Sequence, residues 1–277
     1  MSKRRDLSKC QAVQRTMRKG EIHIVYEDDE IIVINKPPGV SVTGDRSGED
    51  DILDTLAGAF AEGLRLVHRL DKFTSGAMIL AKTRDAQSKY VGFFAKRLVQ
   101  KTYLALVAGA VRDTHGRIDA PLAQDRHDSQ RVRIDRKHGK AAVTRYQVLA
   151  DFGGIALLAA YPETGRTHQI RVHLASIGLP LAIDPLYAGA RPVLLSQFKA
   201  DYRPKRDRAE SPLIDRLTLH AYQLQVPWGA DATRTFVAPL EKKFAAAVKM
   251  LAKHNPRGLE SFSDPQVLDA LLSAKVI

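Results

Sequence analysis

Short runs of β-branched and other apolar residues, separated by tight polar turns, most limit the folds open to this chain. Two such runs lie at residues 22–26 and 31–34. Four acidic residues, 27–30, separate them, so the pattern predicts a β-hairpin that starts at Glu21. Two prolines in the segment 35–39, Asn-Lys-Pro-Pro-Gly, end the second strand because proline has no backbone N–H to donate.

Further apolar runs predict more strands, and amphipathic periodicity predicts several helices. Strands are expected at residues 77–81, 102–108, 141–149, 155–161 and 217–226, with short strands within 112–140. Helices are expected at residues 52–60, 85–98, 167–177, 244–253 and 265–272. Because hairpin-joined strands are interrupted irregularly by helices, we expect an α+β fold with a largely antiparallel sheet.

The chain is strongly basic, with 43 lysines and arginines against 31 aspartates and glutamates and a formal net charge of +12. Such an excess favours a polyanionic partner, because each phosphate that a cation neutralises releases a counterion. An anionic membrane surface and plain solubility are the alternatives. The cations cluster in residues 1–20, 126–140 and 203–208. We interpret these clusters as basic loops, and residues 1–20, which lack apolar periodicity, as a basic N-terminal arm.

Several classes of protein find no support in the sequence. No apolar run approaches the roughly 20 residues that cross a bilayer, and the first residues do not resemble a secretory signal. We therefore expect a cytoplasmic protein with no membrane partner. The single cysteine, Cys10, cannot form an internal disulfide or a Cys-rich zinc site. Two glycine patterns are typical of nucleotide binding, GxGxxG after a first strand and GxxxxGK[ST]. Neither is present, so no nucleotide cofactor is indicated.

Residues 68–76, with the sequence HRLDKFTSG, carry the first candidate for chemistry. His68, Arg69 and Asp71 stand directly before a small-residue turn and an apolar strand. A reactive group on a loop that a strand holds in place is a common arrangement. Taken alone, however, Arg69 and Asp71 are more typical of an ordinary surface ion pair, because such pairs are common.

The second candidate is Tyr103, in the segment 101–107 with the sequence KTYLALV. The apolar run predicts a strand with Tyr103 near its exposed end. The ring could stack on a nucleobase, a contact worth about 1–3 kcal/mol. Taken alone, the residue is more typical of a core tyrosine whose hydroxyl is satisfied at the rim.

The third candidate segment, residues 164–173 with the sequence TGRTHQIRVH, predicts a helix start capped by Thr167. His168 and Arg171 are three residues apart and would share one helix face. Such a start suits a phosphate or carboxylate partner, and an ordinary amphipathic helix is the alternative. His168 and His173 lack the HExxH pattern, so no zinc site is indicated.

Together and in this order, the three segments resemble the RluA-type pseudouridine synthases. Residues 35–40 and 219–221 are similar to an early segment and a late strand of that family. The resemblance covers about residues 21–240, a pseudouridine synthase catalytic domain, and leaves 241–277 as a helical C-terminal extension. It implies a mixed, mainly antiparallel central sheet with flanking helices and a central catalytic cleft between two halves.

The resemblance also implies roles for individual residues. Asp71 would be the essential catalytic carboxylate and Arg171 would pair with it. Tyr103 would pack against the flipped base and assist proton removal, and Arg69 would help to displace the base. RNA contacts are expected from the first and third segments and from the basic loop, namely His68, Arg69, Arg166, His168, Arg131, Arg133 and Lys140.

The implied reaction isomerises a uridine of ribosomal or transfer RNA by breaking the N1–C1′ bond, turning the base and rejoining it through C5. Because there is no net redox change, no metal or other cofactor is expected. Separately, we expect a monomer. Asp71 could act as a nucleophile at C1′ or as a base at C2′, and both routes stay open. The uridine must also leave its stack, at a cost of a few kcal/mol.

Two other functions compete with this interpretation. A non-catalytic RNA-binding protein on the same fold would be indicated by loss of Asp71, Tyr103 or Arg171, and all three are present. A hydrolase would need a second carboxylate, for which Glu163 is the available residue although no paired acid is evident from spacing. The chain also departs from the family in having Ile183 before Asp184, where a glycine is usual.

Overall fold

The computed structural model describes residues 22–44, 51–57, 60, 63–189, 191–199, 201–203, 209–255 and 258–273, with the backbone of 16–17. Most of the predicted arm at 1–20, and the basic cluster at 203–208 beyond Arg203, lie outside the described residues. The strands are β1 (Thr16–Met17), β2 (Ile22–Glu27), β3 (Ile31–Lys36), β4 (Arg65–Leu66), β5 (Ser75–Ala81), β6 (Gln100–Ala108), β7 (His115–Asp119), β8 (Leu122–Gln124), β9 (Val132–Ile134), β10 (Val143–Asp151), β11 (Ile155–Pro162), β12 (Leu219–Trp228) and β13 (Ala232–Val237). The helices are α1 (Ile52–Leu56), α2 (Arg84–Ala95), α3 (Gln169–Ser176), α4 (Lys242–His254) and α5 (Gln266–Ser273), with 3-10 turns at Leu195–Gln197 and Gly258–Ser261.

One large sheet organises the described residues, with the strand order β1-β2-β3-β5-β12-β6-β11-β10-β7. Strand β13 pairs with β12, β4 pairs with β5, and β8 and β9 form a separate hairpin. Every pairing is antiparallel except that of β5 with β12, which is parallel. The predicted α+β class with a mixed, mainly antiparallel sheet is therefore confirmed.

The predicted β2–β3 hairpin closes through Asp28. Its carboxylate Oδ1 accepts hydrogen bonds from the backbone N–H groups of Glu30 and Ile31, both at 2.8 Å, while Oδ2 accepts one from Tyr26 Oη at 2.9 Å. An aspartate that bonds the chain two or three residues ahead favours a turn over continued strand. The acidic stretch therefore forms the tight turn that the sequence predicts.

Helices cover both faces of the sheet, because alternate residues of each strand point to opposite sides. In the first half, β1 to β5, α1 packs Ile52 on one face and α2 packs Tyr90 on the other. In the second half, which contains β6, β7 and β10 to β13, α3 packs Leu174 on one face and α4 packs Phe244 on the other. The helices of residues 241–277 thus share a core with the predicted catalytic domain.

The two halves meet where β5 runs parallel to β12. Gly76 pairs with Ala221, and Ser75 pairs with His220. Gly76 has φ +114°, and a Cβ atom there would lie 2.2 Å from Ala221 O. Beside it, Ser75 Oγ contacts His220 Nδ1 at 2.9 Å, and His220 Nε2 donates to Ala238 O at 3.1 Å. Ser75 and Gly76, which the sequence suggested as part of a turn, are therefore the first residues of β5 and the place where the backbones of the two halves come together.

Three local expectations need correction. The predicted helix 52–60 ends at Leu56, and a strand at 232–237 that pairs with β12 was not predicted. The prediction that Thr167 caps a helix is wrong, because α3 begins at Gln169 and its N-cap is His168. Ile183 does not adopt the left-handed backbone that would require glycine, so its difference from the family leaves the local chain path intact. Within the described residues, no helix combines the length and apolar character needed to cross a bilayer.

We predict that Gly76→Ala destabilises the fold by about 2 kcal/mol or more, because the new Cβ would overlap Ala221 at a positive φ. Denaturant unfolding measures this change. Gly92→Ala is the matched control, since Gly92 lies in α2 with open space at its Cβ position and should gain about 0.5–1 kcal/mol. If Gly76→Ala and the native protein unfold at the same denaturant midpoint, the close contact between Gly76 and Ala221 is contradicted.

Candidate active site

A cleft of about 500 Å³ opens beside the join of the two halves. Its walls are the segment 67–74 that leads into β5, the end of α2, the start of β6, and the segment 162–171 that runs into α3. All three sequence motifs therefore contribute to one cavity, although they are far apart along the chain.

Asp71 lies in the wall of this cleft, with 21% of its side chain exposed. Leu70, the residue before it, is buried in the core of the first half, and Thr74 N–H donates to Asp71 O at 3.0 Å. The carboxylate is thus held on a tight turn between a buried anchor and the start of β5. Its Oδ2 lies 3.5 Å from Arg171 Nη1 and 3.9 Å from His168 Nε2.

Arg171 is held chiefly by a second carboxylate, Asp184. Arg171 Nε and Nη2 donate to the two Asp184 oxygens at 2.8 and 2.7 Å, and Asp184 is fully buried. Burial opposes the charge, but the hydrogen bonds to Asp184 raise the pKa of Arg171 above its ordinary value. This bidentate pair leaves Nη1 to face Asp71. The sequence predicted the approach of Arg171 to Asp71 but not the partner that orients it.

A directed chain of hydrogen bonds holds the rest of the third motif. Gln169 Oε1 accepts from Thr164 Oγ1 at 2.6 Å and from Arg166 N–H at 3.0 Å. Its Nε2 donates to Val143 O at 2.8 Å and to Thr144 Oγ1 at 3.0 Å. The amide of Gln169 therefore makes four bonds, which fixes the turn before α3.

His173 continues this chain from the next helical turn. Its Nε2 must donate to the carbonyl Ala120 O at 2.9 Å, so Nδ1 accepts from Thr144 Oγ1 at 2.9 Å. Burial lowers the pKa of His173, which agrees with a neutral ring. His173 is thus an internal support of α3, consistent with a motif that showed no zinc pattern.

Tyr103 lines the cleft from β6 and packs against the core of the first half. Burial and the neighbouring Asp71 charge raise the pKa of its hydroxyl above the ordinary value. The side chain therefore offers an apolar ring and a neutral phenol, which suits stacking against a base.

Lys36 is a buried cation that the sequence analysis passed over. Its Nζ donates to the backbone oxygens of Pro37, Val40 and Lys72 at 2.8–2.9 Å. Because Lys72 follows Asp71, the ammonium ties residues 36–40 to the turn that carries Asp71. Burial lowers the pKa of Lys36 to about 7, although Asp71 opposes this change. A lysine between a β-branched run and two prolines is the sequence signal that could have indicated it.

The predicted RNA-binding residues differ in their surroundings. Arg69 and Arg166 are exposed and line the cleft, and Arg166 Nε donates to Ala141 O at 3.2 Å. His68 also lines it, but its Nε2 accepts from Ile79 N–H and its ring stacks on Phe94, with centroids 4.3 Å apart. Burial lowers the pKa of His68 to about 3, so it offers an apolar face rather than a charge.

The residues of the basic loop lie on or beside the β8–β9 hairpin. Arg131 and Lys140 are exposed, and the Arg131 guanidinium carbon lies 5.4 Å from the Tyr187 ring centroid. Arg133 Nη2 donates to Asp135 at 2.7 Å, so part of its charge is already paired. Two cleft cations were not predicted, Arg97 and Lys101. Burial and Arg97 lower the pKa of Lys101 to about 8.

Glu163, the carboxylate that a hydrolase would need, lies at the edge of the same cleft. It is engaged by two arginines of the sheet, with Arg145 Nε at 3.1 Å and Arg117 Nη2 at 3.8 Å. Among the described residues, no three His, Cys, Asp or Glu side chains are grouped so as to hold a metal ion.

Comparison with known proteins shows which family this chain is similar to. Residues 30–176 match the family described as RNA pseudouridylate synthase. The uncharacterized RNA pseudouridine synthase YhcT of Bacillus subtilis is 34% identical over 234 residues, which are 82% of this chain and 75% of that protein. Ribosomal large subunit pseudouridine synthase D of Nitrosomonas europaea is 39% identical over 215 residues, 74% of this chain and 58% of that protein.

A solved structure shows the same relationship. Human RNA Pseudouridylate Synthase Domain Containing 4 superposes with a TM-score of 0.61 at 29% identity, over 82% of this chain and 92% of the human chain. The chain therefore belongs to the RluA-type RNA pseudouridine synthases, a family of isomerases that act on RNA.

We predict that Asp184→Asn destabilises the protein by about 3 kcal/mol, because it leaves the buried Arg171 without its charged partner. Denaturant unfolding measures the change. Asp119→Asn is the matched control, since the Arg117–Asp119 pair is half exposed and should contribute less than about 1 kcal/mol. Equal losses of stability in the two variants would contradict the role of Asp184 as the buried partner that stabilises Arg171.

Lys36 predicts a particular pH dependence of stability. Its pKa is about 7 in the folded chain and 10.5 at its ordinary value, so the unfolded chain binds more protons between these pH values and stability rises with pH. The free energy of unfolding of the native protein relative to Lys36→Met should increase by up to about 1.4 kcal/mol per pH unit from pH ~7 to ~9. The exposed Lys249→Met should show no such slope. If the free energies of unfolding of the native protein and Lys36→Met change with pH in parallel, the lowered pKa of Lys36 in the folded chain is contradicted.

Proposed function

We propose that Asp71 is the essential carboxylate with which this RNA pseudouridine synthase isomerises a uridine held outside its helix. One observation carries the proposal: Asp71 is a partly exposed carboxylate in the cleft, with Arg171 Nη1 3.5 Å from its Oδ2. Catalytic groups need both access to substrate and a fixed environment, and Asp71 has both.

The reaction requires little beyond this carboxylate. The N1–C1′ bond breaks, C5 bonds to C1′, the C5 proton leaves, and N1 ends with a proton, so atoms and electrons balance without an oxidant. Asp71 can start the reaction either by attacking C1′ or by removing the proton of C2′. We therefore expect the protein to need no cofactor. We also propose that it acts as a monomer.

The cleft has features that suit a flipped base. Tyr103 and the uncharged His68 bring two aromatic rings to its lining, and Arg69 stands exposed at its edge. Stacking against such surfaces offsets part of the few kcal/mol needed to remove a base from its helix. In this proposal, Arg69 enters the helix as the base leaves.

The cleft is also rimmed by cations that can hold the flanking phosphates. Arg69, Arg97, Lys101 and Arg166 line it, with the β8–β9 hairpin bringing Arg131 close. Each phosphate contact adds to affinity and makes binding sensitive to salt. This supports an extended RNA substrate.

We propose large-subunit ribosomal RNA as the substrate, acted on in the cytoplasm. The support is that the relative from Nitrosomonas europaea is named a ribosomal large subunit pseudouridine synthase. Transfer RNA is the alternative. A non-catalytic RNA-binding role is disfavoured because Asp71, Tyr103 and Arg171 are all present and share one cleft.

Release of tritium from uridine C5 tests the proposal. The native protein should release tritium from unmodified large-subunit rRNA transcribed with [5-³H]uridine, whereas Asp71→Asn should release none, since an amide is neither nucleophile nor base. Both proteins should bind the RNA with similar affinity in a filter assay. Transfer RNA transcripts tested in parallel decide between the two substrates.

Asp231→Asn provides a matched control, because Asp231 is exposed in the β12–β13 turn. It should keep the native rate. Turnover by Asp71→Asn at a comparable rate would contradict the role of Asp71. Binding of both RNAs by the native protein without any tritium release would instead support the non-catalytic role.

A further inference from the structure

Tyr187 lies between the candidate active site and the β8–β9 hairpin. It follows Asp184, whose Oδ1 accepts from the N–H groups of Leu186 and Tyr187 at 3.0 and 3.3 Å and so orders this turn. The guanidinium carbons of Arg171 and Arg131 lie 5.1 and 5.4 Å from the Tyr187 ring centroid. One aromatic ring therefore touches both a catalytic arginine and an arginine of the basic loop.

The Tyr187 hydroxyl makes two hydrogen bonds whose direction can be deduced. Val132 N–H of the hairpin donates to Tyr187 Oη at 2.8 Å, and His168 Nδ1 lies 2.9 Å from the same oxygen. Among the described residues, no other acceptor lies within hydrogen-bond distance of Tyr187 Oη. Tyr187 Oη can therefore donate its proton to His168 Nδ1, and a neutral His168 whose Nδ1 accepts carries its own proton on Nε2.

His168 has an unusual backbone that helix capping does not explain. It is the N-cap of α3 with φ 54°, in the left-handed region, yet its side chain makes no capping hydrogen bond. Instead the ring turns toward the cleft, with Nε2 3.9 Å from Asp71 Oδ2. Strained conformations of this kind persist where the surroundings impose them and are common at functional sites.

We propose that Tyr187 is a positioning residue that keeps the His168 proton on Nε2, so that an N–H group faces Asp71 and the catalytic carboxylate is linked to the β8–β9 hairpin. The inference rests on the proposed function, since it assigns a support to the same carboxylate. At 3.9 Å the contact is longer than a hydrogen bond, and catalytic contacts of this kind often tighten only when substrate binds.

The charge state of His168 matters because an imidazolium would pair with Asp71 and make it less reactive. The charged groups that face His168 are Asp71, Arg171, Asp184 and Arg69. Burial lowers the pKa of His168, Asp71 raises it and Arg171 lowers it, with a net decrease. The proton donated by Tyr187 favours the same neutral form, so its loss would allow His168 to protonate at higher pH.

The test is the pH dependence of single-turnover tritium release by Tyr187→Phe, at saturating large-subunit rRNA labelled at uridine C5. Phenylalanine keeps the ring between the two arginines and removes only the hydroxyl. The rate should fall about fivefold to tenfold near pH ~6 and less near pH ~8, with the acidic limb shifted to higher pH. RNA affinity should change by less than about twofold, which separates this role from general RNA binding.

Two further variants make the result specific. Tyr222→Phe removes a hydroxyl on the α4 side of the sheet and should reproduce the native profile. His168→Asn keeps a residue that tolerates the left-handed backbone, and it should lower the rate at every pH without moving the acidic limb. Adding Tyr187→Phe to His168→Asn should leave the limb unshifted, because no imidazole remains to titrate.

The outcomes separate this inference from the proposed function. No tritium release by the native protein would contradict the proposed function itself. If the native protein is active and Tyr187→Phe either matches its rate or loses rate equally at all pH values, the positioning role of Tyr187 is overturned. The proposed role of Asp71 is then unaffected. If Tyr187→Phe does not fold, an unchanged rate in His168→Asn overturns the inference, and the predicted uniform loss supports it.

Discussion

The close contact between Gly76 and Ala221 is the constraint on which the rest of the structure depends. Only a residue without a Cβ allows β5 to run against β12 at this distance, since an added Cβ would lie 2.2 Å from Ala221 O. The same contact joins the two halves of the sheet and fixes the start of β5. Because Asp71 stands just before that start, the packing of the whole sheet determines where the Asp71 carboxylate points.

Two residues that do not line the cleft, Asp184 and Lys36, help to arrange the charges around Asp71. Asp184 binds Arg171 through two nitrogens and leaves the third for Asp71, while Lys36 holds the turn from the other side through the Lys72 carbonyl. A fixed arrangement of this kind needs little reorganisation when charge develops during reaction, which is a main source of enzymatic rate enhancement. The buried Gln169 amide, with four hydrogen bonds, keeps α3 and its arginine in register.

The sequence predicts the local parts of this structure better than their partnerships. The β2–β3 hairpin, α2, and the strands β6 and β11 follow from periodicity and turn residues, because these depend on neighbours in the chain. Other contacts join residues that are brought together only by the fold. They are the Asp184–Arg171 ion pair, the Tyr187–Val132 hydrogen bond and the hydrogen bond from Lys36 to the Lys72 carbonyl. His168 shows the same limit, since its left-handed backbone is imposed by surroundings and not by local preference. The resemblance of three ordered motifs to a family predicted Asp71 as a site residue, and tertiary contacts supply the groups that surround it.

Pseudouridine mapping at single-nucleotide resolution tests the central claim most directly. Large-subunit rRNA and transfer RNA would be mapped in cells that carry the native chain, the Asp71→Asn chain or neither. The account predicts that specific pseudouridines of large-subunit rRNA are present with the native chain and absent in both other cases. Identical maps in all three cells, or full modification with Asp71→Asn, would contradict it.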